Sequence, residues 1–470
     1  MPSNLDDIEF ILNEWARFET GLHDRTVELT FEDLMSQLHS RKKPRTIIIG
    51  KDANSRLYQL AKRGVQSFKQ QERIDVNSVA RILGETIVEW FLEERRDLDR
   101  SQADRVVSSS VKKAMGKKTA IKHFFPVLLG DGKGPESISL GPAKLLRKDI
   151  FFEQYADAFN ALMSVDLGPE VAEGKIQVYE GLTTDARKYF EVFPWIAMVE
   201  VTDCDPTTSR KTALKIAESA TDCLHVLIGE KFSQYLRLEG NHARVKKSSE
   251  ISQYPNSRFH VTSRIDWPQD SLGEDWWKIT EDRMPEGTVA LMGKAISEGH
   301  KFPQSSPFAR RFLDAIAWYR EAVRDEYLPS KIVKYVTSLE RILCTEEDAK
   351  IDASENEAAT ECVPVPIRDI SATIERRGKA LLSSIGIHEF EKKPLGFKRI
   401  YGKRSALVHG SLSNSSIGLW HQVREAEFLS RWTLVGAVHF LGEDGLTLQK
   451  ANNEILRTAF DRFIDHLSAN

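Results

Sequence analysis

An arginine and a histidine, separated by four residues, lie near the end of the chain within the segment that runs from Tyr401 to Gly410. Arg404 carries a permanent planar cation that suits a phosphate group, and His409 carries an imidazole, the side chain most often used for proton transfer. Together these groups supply charge stabilisation and proton transfer, which is sufficient to cleave a phosphodiester through a ribose 2′-hydroxyl without a metal ion. The segment therefore predicts phosphodiester chemistry, with Arg404 on the scissile phosphate and His409 as the proton-transfer residue.

Two other arginine–histidine pairs have similar spacing, so spacing alone does not select a site. Arg17 and His23 straddle a Thr-Gly dipeptide at the end of a predicted helix, which indicates a solvated helix terminus. Arg237 and His242 flank a Gly-Asn dipeptide, a turn signal that indicates a surface loop. The surrounding sequence must therefore decide among the three pairs.

The segment that carries Arg404 and His409 is otherwise largely apolar and is predicted to be helical. Successive residues of an ideal helix are rotated by about 100°, so these two side chains lie about 140° apart. One helix does not align them on a single face, and a cleft between two protomers would let both reach the same phosphate. In the alternative interpretation, the two side chains only hydrogen-bond to a neighbouring carboxylate, for which Glu340 is available.

The sequence Leu-Glu-Arg-Ile-Leu at residues 339–343, followed by the segment from Tyr401 to Gly410, resembles the Apea-like branch of the HEPN superfamily. The resemblance covers approximately residues 306–445 and includes a predicted helical hairpin upstream of the motif. It implies a four- or five-helix domain that dimerises and places two arginine–histidine motifs around one cleft. Such domains commonly act as metal-independent endoribonucleases.

This resemblance implies that Arg404 and His409 are catalytic and that Ser405, Lys403 and Glu340 support them. In many members an asparagine or aspartate directly follows the arginine, whereas this chain has Ser405 at that position. Lys403 is a weaker local candidate for contacts with the RNA backbone. The expected products are a cyclic phosphate and a 5′-hydroxyl.

Two basic patches are candidates for nucleic-acid binding. The first consists of lysines at four- and five-residue steps that are predicted to share a helical face, or else to lie on an ordinary solvated helix: Lys112, Lys113, Lys117, Lys118 and Lys122. The second consists of basic residues accompanied by Tyr254, Phe259 and Trp267: Arg244, Lys246, Lys247, Arg258 and Arg264. Basic groups interleaved with aromatic rings can hold single-stranded RNA, although ordinary loop composition also explains them.

A glycine-rich segment from Gly130 to Gly134 separates two strand-like stretches. It lacks the order of residues that defines a phosphate-binding loop and is not followed by a helix start. We therefore predict that this segment is the turn of a β-hairpin.

Composition limits the function classes. The 470 residues are 41% hydrophobic and 29% charged, which is typical of a soluble globular protein, and the net charge of −3 gives no global attraction to nucleic acid. The four cysteines have neither disulfide-framework nor zinc-site spacing, which favours a reducing, cytoplasmic setting. The sequence shows no export signal and no membrane span. It also has no metal or cofactor motif, so we expect the protein to need no cofactor.

The predicted fold class is a mostly helical α+β multidomain protein with a small mixed sheet in the N-terminal region and a HEPN-like helical bundle at the C-terminus. Residues 1–122 form a helical region, residues 123–305 an α+β sensor or regulatory region, and residues 306–470 the Apea-like HEPN domain. An acidic stretch at residues 346–361 is predicted to be a solvated loop. The C-terminal helices are predicted at residues 312–327, 332–343, 370–385, 419–441 and 446–467, and residues 397–407 are predicted to lead into the helix that carries the arginine–histidine pair.

The resemblance implies an effector in prokaryotic antiviral defence or a toxin-like system, whose RNA cleavage is restrained until a signal arrives. The expected partners are an RNA substrate, a second copy bound through the C-terminal helices, and an activating ligand or protein at the N-terminal region, but no membrane. The alternative is a non-catalytic HEPN-containing protein that dimerises and binds a ligand or nucleic acid.

Overall fold

The computed structural model describes residues 2–24, 28, 30–39, 46–69, 73–116, 119–158, 184–238, 246–253, 259–266, 272–301, 304–345, 370–412, 418–450 and 452–469. The acidic stretch at residues 346–361 lies outside these ranges. Two compact units are present, one of residues 1–123 with 200–213 and one of residues 124–199 with 214–470. The three-part division at residues 122 and 305 stays a prediction.

The first unit is built around amphipathic helices, as the apolar periodicity predicts. Its helices are α1 (Asn4–His23), α2 (Phe31–Met35), α3 (Gly50–Ser67), α4 (Val76–Ile87), which continues as a π-helical turn (Val88–Glu93), and α5 (Arg100–Met115). Strands β1 (Gln37–His39) and β2 (Thr46–Ile48) form an antiparallel pair, and β2 confirms a short strand predicted there. Apolar residues of α1, α3, α4 and α5 form one buried core.

The first basic patch does not lie on one helix. Lys112 and Lys113 are exposed in the last turn of α5, which ends at Met115, but Lys122 lies on the following strand. The prediction of a common helical face is therefore wrong for Lys122. Lys117 and Lys118 lie outside the described residues.

The main sheet has five strands, which run in the order β4, β5, β6, β3, β7. They are β3 (Thr119–Leu128), β4 (Ser137–Leu140), β5 (Ala143–Arg147), β6 (Trp195–Cys204) and β7 (Arg237–Leu238). β6 confirms the buried strand predicted at residues 196–201. The sheets are antiparallel, where a mixed sheet was expected.

The segment from Gly130 to Gly134 connects β3 to β4, but these two strands are not neighbours, because β5 and β6 lie between them. The prediction of a hairpin at this segment is therefore wrong. Its turn is instead fixed by Trp276, whose Nε1–H donates to the carbonyl of Lys133 at 2.9 Å. A Cβ on Gly134, which has φ +113°, would lie 2.3 Å from that indole nitrogen, so only glycine fits.

Most of the helices that the structure describes lie in the second unit. They are α6 (Lys148–Gln154), α7 (Pro206–Ile228), whose first residues belong to the first unit, α8 (Glu230–Ser233), α9 (Trp276–Arg283), α10 (Thr288–Gly299), α11 (Pro307–Val323), α12 (Leu328–Leu343), α13 (Ile370–Ser384), α14 (Phe397–Val408), α15 (Trp420–Thr447) and α16 (Asn453–Ala469). Helices α11 and α12 pack as the predicted hairpin, and α15 packs against both. The apolar periodicity predicts a helix at residues 209–229 as well as the one at 370–385, and α7 and α13 confirm both. Residues 397–407, which were expected to lead into the helix of the arginine–histidine pair, already belong to α14.

The turn between β4 and β5 packs directly on helix α10. A Cβ on Gly293 would lie 2.5 Å from the backbone nitrogen of Gly141, and Gly141 itself has φ +59°. We expect Gly293→Ala to lower the free energy of unfolding by about 1–3 kcal/mol, because backbone must move to admit the methyl group. Urea unfolding at equilibrium measures this change.

Gly402 is the control, because a Cβ there meets nothing within 4 Å. Gly402→Ala lies in exposed helix and should raise the free energy of unfolding by about 0.5–1 kcal/mol. Equal effects of the two substitutions would contradict the close packing of Gly293.

A polar clamp fixes the end of α7 in the bundle of the second unit. Arg431 of α15 donates through Nε to the carbonyl of Val226 at 2.7 Å and through Nη2 to the carbonyl of Leu227 at 2.6 Å. These carbonyls belong to the last turn of α7, where a cation is favoured by the helix dipole. Gly229 follows with φ +85°, and a Cβ there would lie 2.7 Å from Nη1 of Arg431.

The clamp continues through two carboxylates. Glu230 of α8 pairs with Lys331 and accepts a hydrogen bond from the hydroxyl of Tyr335 at 2.8 Å. Glu427 accepts from the hydroxyl of Tyr319 at 2.6 Å, and burial raises the pKa of the Glu427 carboxyl. Residues 226–233 are thereby tied to α11, α12 and α15, and we refer to this cluster as the α7–α8 clamp.

Candidate active site

Helix α14 carries the arginine–histidine pair. Phe397, Ile400 and Leu407 are buried, and α14 packs against α12 and α13 through this side. The helix ends at Val408, with His409 as its C-terminal cap and Gly410 in the left-handed conformation at φ +74°. Glycine directly after a helix cap is a common way to end a helix, which explains the local sequence.

Arg404 extends from α14 towards α12. Its Nη2 lies 3.2 Å from Oε2 of Glu340, and the two side chains are 25% and 23% exposed. Burial raises the pKa of the Glu340 carboxyl, while the cations of Arg404 and Arg341 oppose that increase. Within the described residues, Nε of Arg404 is buried and has no hydrogen-bond partner. The guanidinium is thus anchored at one edge by Glu340, and a phosphate would have to contact its terminal nitrogens rather than the buried Nε.

His409 lies at the opposite, exposed end of the motif. Its backbone N–H donates to the carbonyl of Ser405 at 2.9 Å, while its side chain belongs to the exposed surface. The side chains of Arg404 and His409 therefore do not meet: one lies against α12 and the other is in solvent. An exposed imidazole is accessible to a substrate as a proton-transfer group.

The two supporting residues of α14 are half-buried. Ser405 contributes its carbonyl to the bond with His409, and Lys403 forms no ion pair within the ranges that the structure covers. Lys403 is therefore a free cation one residue before Arg404. Neither residue contacts a carboxylate in the way that Arg404 contacts Glu340.

The second basic patch is only partly covered by the structure. Lys246 and Lys247 lie on β8 (Lys246–Gln253), which pairs with β9 (Phe259–Asp266), where Arg264 lies opposite Ser248. Arg244 and Arg258 lie outside the described residues. The backbone thus places three of the five basic residues on one antiparallel hairpin.

The structure also shows where the other two arginine–histidine pairs lie, as far as their residues are described. Arg17 pairs with Glu14 and lies over the ring of Phe18, while His23 is the last residue of α1. Arg237 lies on β7, and His242 is outside the described residues.

One cavity in the second unit is separate from Arg404 and His409. It is an open groove of about 1020 Å³ between the α9–α10 turn, the turn after α13, and helices α15 and α16. Its aromatic lining includes Phe428, Trp432, Phe440 and Phe463. Sequence reasoning missed it, because aromatic residues at helical spacing equally predict a buried stripe.

No group of three or more histidine, cysteine, aspartate or glutamate side chains among the described residues is arranged to hold a metal ion. In the same part of the chain, no helix has both the length and the apolar character needed to cross a membrane. No protein-family model, no curated protein and no solved structure matches this chain.

Proposed function

We propose that the chain is a metal-independent endoribonuclease whose C-terminal part, residues 306–470, is an Apea-like HEPN domain. The observation that carries this proposal is the arrangement on α14, where Arg404 is anchored by the half-buried Glu340 and His409 is exposed at the end of the helix. A fixed cation and an accessible proton-transfer group are the two parts that cleavage of RNA through its own 2′-hydroxyl requires.

In the proposed reaction, the imidazole of His409 accepts the proton of the ribose 2′-hydroxyl as the 2′-oxygen bonds to the adjacent phosphorus. The guanidinium of Arg404 stabilises the negative charge on the non-bridging oxygens. The bond from phosphorus to the 5′-oxygen then breaks, and that oxygen takes up a proton. The products are a 2′,3′-cyclic phosphate and a 5′-hydroxyl.

A dimer would complete this site. Because Arg404 faces α12 and His409 faces solvent, one copy alone presents its two groups to different surroundings. We propose that two copies associate through the C-terminal helices, so that a second histidine protonates the leaving oxygen. Residues 1–305 would hold the activating ligand or protein, in a cytoplasmic antiviral or toxin-like effector that needs no cofactor.

The test is incubation of the purified protein with end-labelled RNA in EDTA, followed by identification of the product ends. We expect cleavage that leaves cyclic phosphates, and no cleavage of an otherwise identical RNA with a 2′-deoxy sugar at the scissile position. Cleavage of the deoxy substrate, or activity that EDTA abolishes, would contradict the proposal.

The ion pair of Arg404 with Glu340 also favours a second candidate, a non-catalytic HEPN-containing protein that dimerises and binds a ligand or nucleic acid. In that case the pair only stabilises the packing of α14 on α12. RNA binding without cleavage, under every activating condition, would favour this candidate.

A further inference from the structure

Trp420 is the first residue of α15 and is 65% exposed. All the other tryptophans that the structure describes are buried or half-buried. Tryptophan is highly buried on average, so this exposed indole is unusual among the described tryptophans of the chain.

A strained hairpin packs on the first turns of α15, the helix that Trp420 begins. Strands β10 (Glu389–Phe390) and β11 (Lys393–Pro394) are joined by Glu391 and Lys392, which have φ +48° and +59°. Left-handed backbone at two successive residues other than glycine is costly, and such strain is concentrated at functional sites. The Glu391 carboxylate lies 2.8 Å from Nη2 of Arg424, one helical turn after Trp420, so the hairpin turn contacts a residue that neighbours Trp420 on the helix surface.

The hairpin is held rigidly on α15. Phe390 is buried and packs against Phe428 with ring centroids 4.8 Å apart. The same ring is stacked on His421 at 6.0 Å, and His421 also lies 3.7 Å from Glu391. Packing on one side and ion pairs on the other therefore fix the position of the turn.

The charge that this turn presents is positive. Arg424 and His421 face Glu391, and exposed Glu389 is the other carboxylate of the hairpin. Lys392 and Lys393 are both exposed and form no ion pair within the described part of the chain. An exposed aromatic ring next to unpaired cations is the combination that binds single-stranded nucleic acid.

We infer that Trp420 and the turn at Lys392 and Lys393 form a platform for single-stranded RNA, on which the indole stacks with an unpaired base and the lysines contact flanking phosphates. This inference rests on the proposed ribonuclease function and assigns where the RNA is held away from the scissile phosphate. Helix α14 begins three residues after β11, and Arg404 lies about 10 Å along its axis from Phe397. A short single strand can span from the platform to the motif.

The test measures binding of a fluorescein-labelled oligouridylate by anisotropy, with every protein carrying His409→Ala so that the RNA stays intact. We expect Trp420→Ala to weaken binding about 5- to 100-fold, the loss of one stacked base, and Trp420→Phe to retain most of the affinity. Lys392→Ala with Lys393→Ala should reduce the slope of log affinity against log salt by about 1.4, the value for two phosphates of a single strand.

The controls are exposed residues elsewhere in the chain. Phe31→Ala removes an even more exposed aromatic ring from α2, and Lys62→Ala with Lys450→Ala removes two exposed lysines. All three substitutions should leave affinity and salt slope unchanged. Losses as large as those at the platform would contradict a specific site.

The outcomes separate this inference from the ribonuclease itself. Unchanged affinity in Trp420→Ala overturns the platform, and the ribonuclease still stands if the wild-type chain leaves cyclic phosphates. Loss of dimerisation in Trp420→Ala, with unchanged RNA affinity per protomer, overturns the platform and assigns the indole to a protein interface. Weakened binding in Trp420→Ala, without cleavage by the wild-type chain under any activating condition, supports the platform and rejects the ribonuclease.

Discussion

Replacing His409 by alanine should reduce RNA cleavage by about 10²–10⁴-fold, the range that general acid–base catalysis contributes. The substitution should leave the fold intact, because His409 is exposed and an ordinary surface substitution changes stability by about 0.5 kcal/mol or less. Single-turnover rates on labelled RNA in EDTA measure the first effect, and thermal unfolding measures the second.

His23 provides a matched control. Like His409, it is an exposed histidine at the end of a helix and follows an arginine at similar spacing. His23→Ala should leave the rate unchanged. Equal rates for His409→Ala and the wild-type chain would reject the catalytic assignment.

Arg404 needs a second substitution to separate its two roles. Arg404→Ala leaves Glu340 half-buried without its cation, so loss of activity alone would not distinguish catalysis from packing. In Arg404→Ala with Glu340→Gln, the unpaired charge is absent. If this double variant regains stability but not cleavage, Arg404 acts on the substrate; if both return, its role is structural.

Lys331→Met should lower the free energy of unfolding by about 3–5 kcal/mol, the cost of breaking a buried ion pair by removing one partner. The side chain of Lys331 is 8% exposed and that of its partner Glu230 is 20% exposed. Among the described residues, only the hydroxyl of Tyr335 would then remain to satisfy the Glu230 carboxylate. Equilibrium unfolding in urea measures the loss.

An exposed pair on α13 is the control for Lys331. Lys379 also pairs with a glutamate, Glu375, but its side chain is 47% exposed. Lys379→Met should therefore cost less than about 1 kcal/mol. A similar loss at both positions would show that burial does not strengthen the α7–α8 clamp.

Sequence patterns predicted the helices well, because each helix buries a periodic apolar face that is written into its own residues. The positions of α12 and α14, which bring Glu340 and Arg404 together, follow from such faces. Strand order was not predictable in the same way. A glycine turn reports only local backbone geometry, so the segment from Gly130 to Gly134 did not reveal that β5 and β6 separate the strands on either side of it.

Contacts between distant segments were also beyond the sequence. Arg431 donates hydrogen bonds to the carbonyls of Val226 and Leu227, which lie far upstream in the chain. No sequence pattern connects Arg431 with these two residues. The exposure of Trp420 depends on what packs around α15, so its sequence position alone did not distinguish it from a core residue. In the candidate site, the sequence indicated the side chains and Glu340 as an available carboxylate, but it did not indicate how far each side chain is buried.

The α7–α8 clamp limits how this chain can be divided. A fragment that began at residue 306 would keep Lys331, Tyr335, Glu427 and Arg431. It would lose the two carbonyls that accept from Arg431, the carboxylate that pairs with Lys331 and Tyr335, and the backbone N–H that donates to Glu427. The C-terminal helices alone are therefore not expected to fold as an independent domain. Gene fusion or recombination could transfer them to another protein only together with the second half of α7, so the two segments are expected to be inherited as one piece.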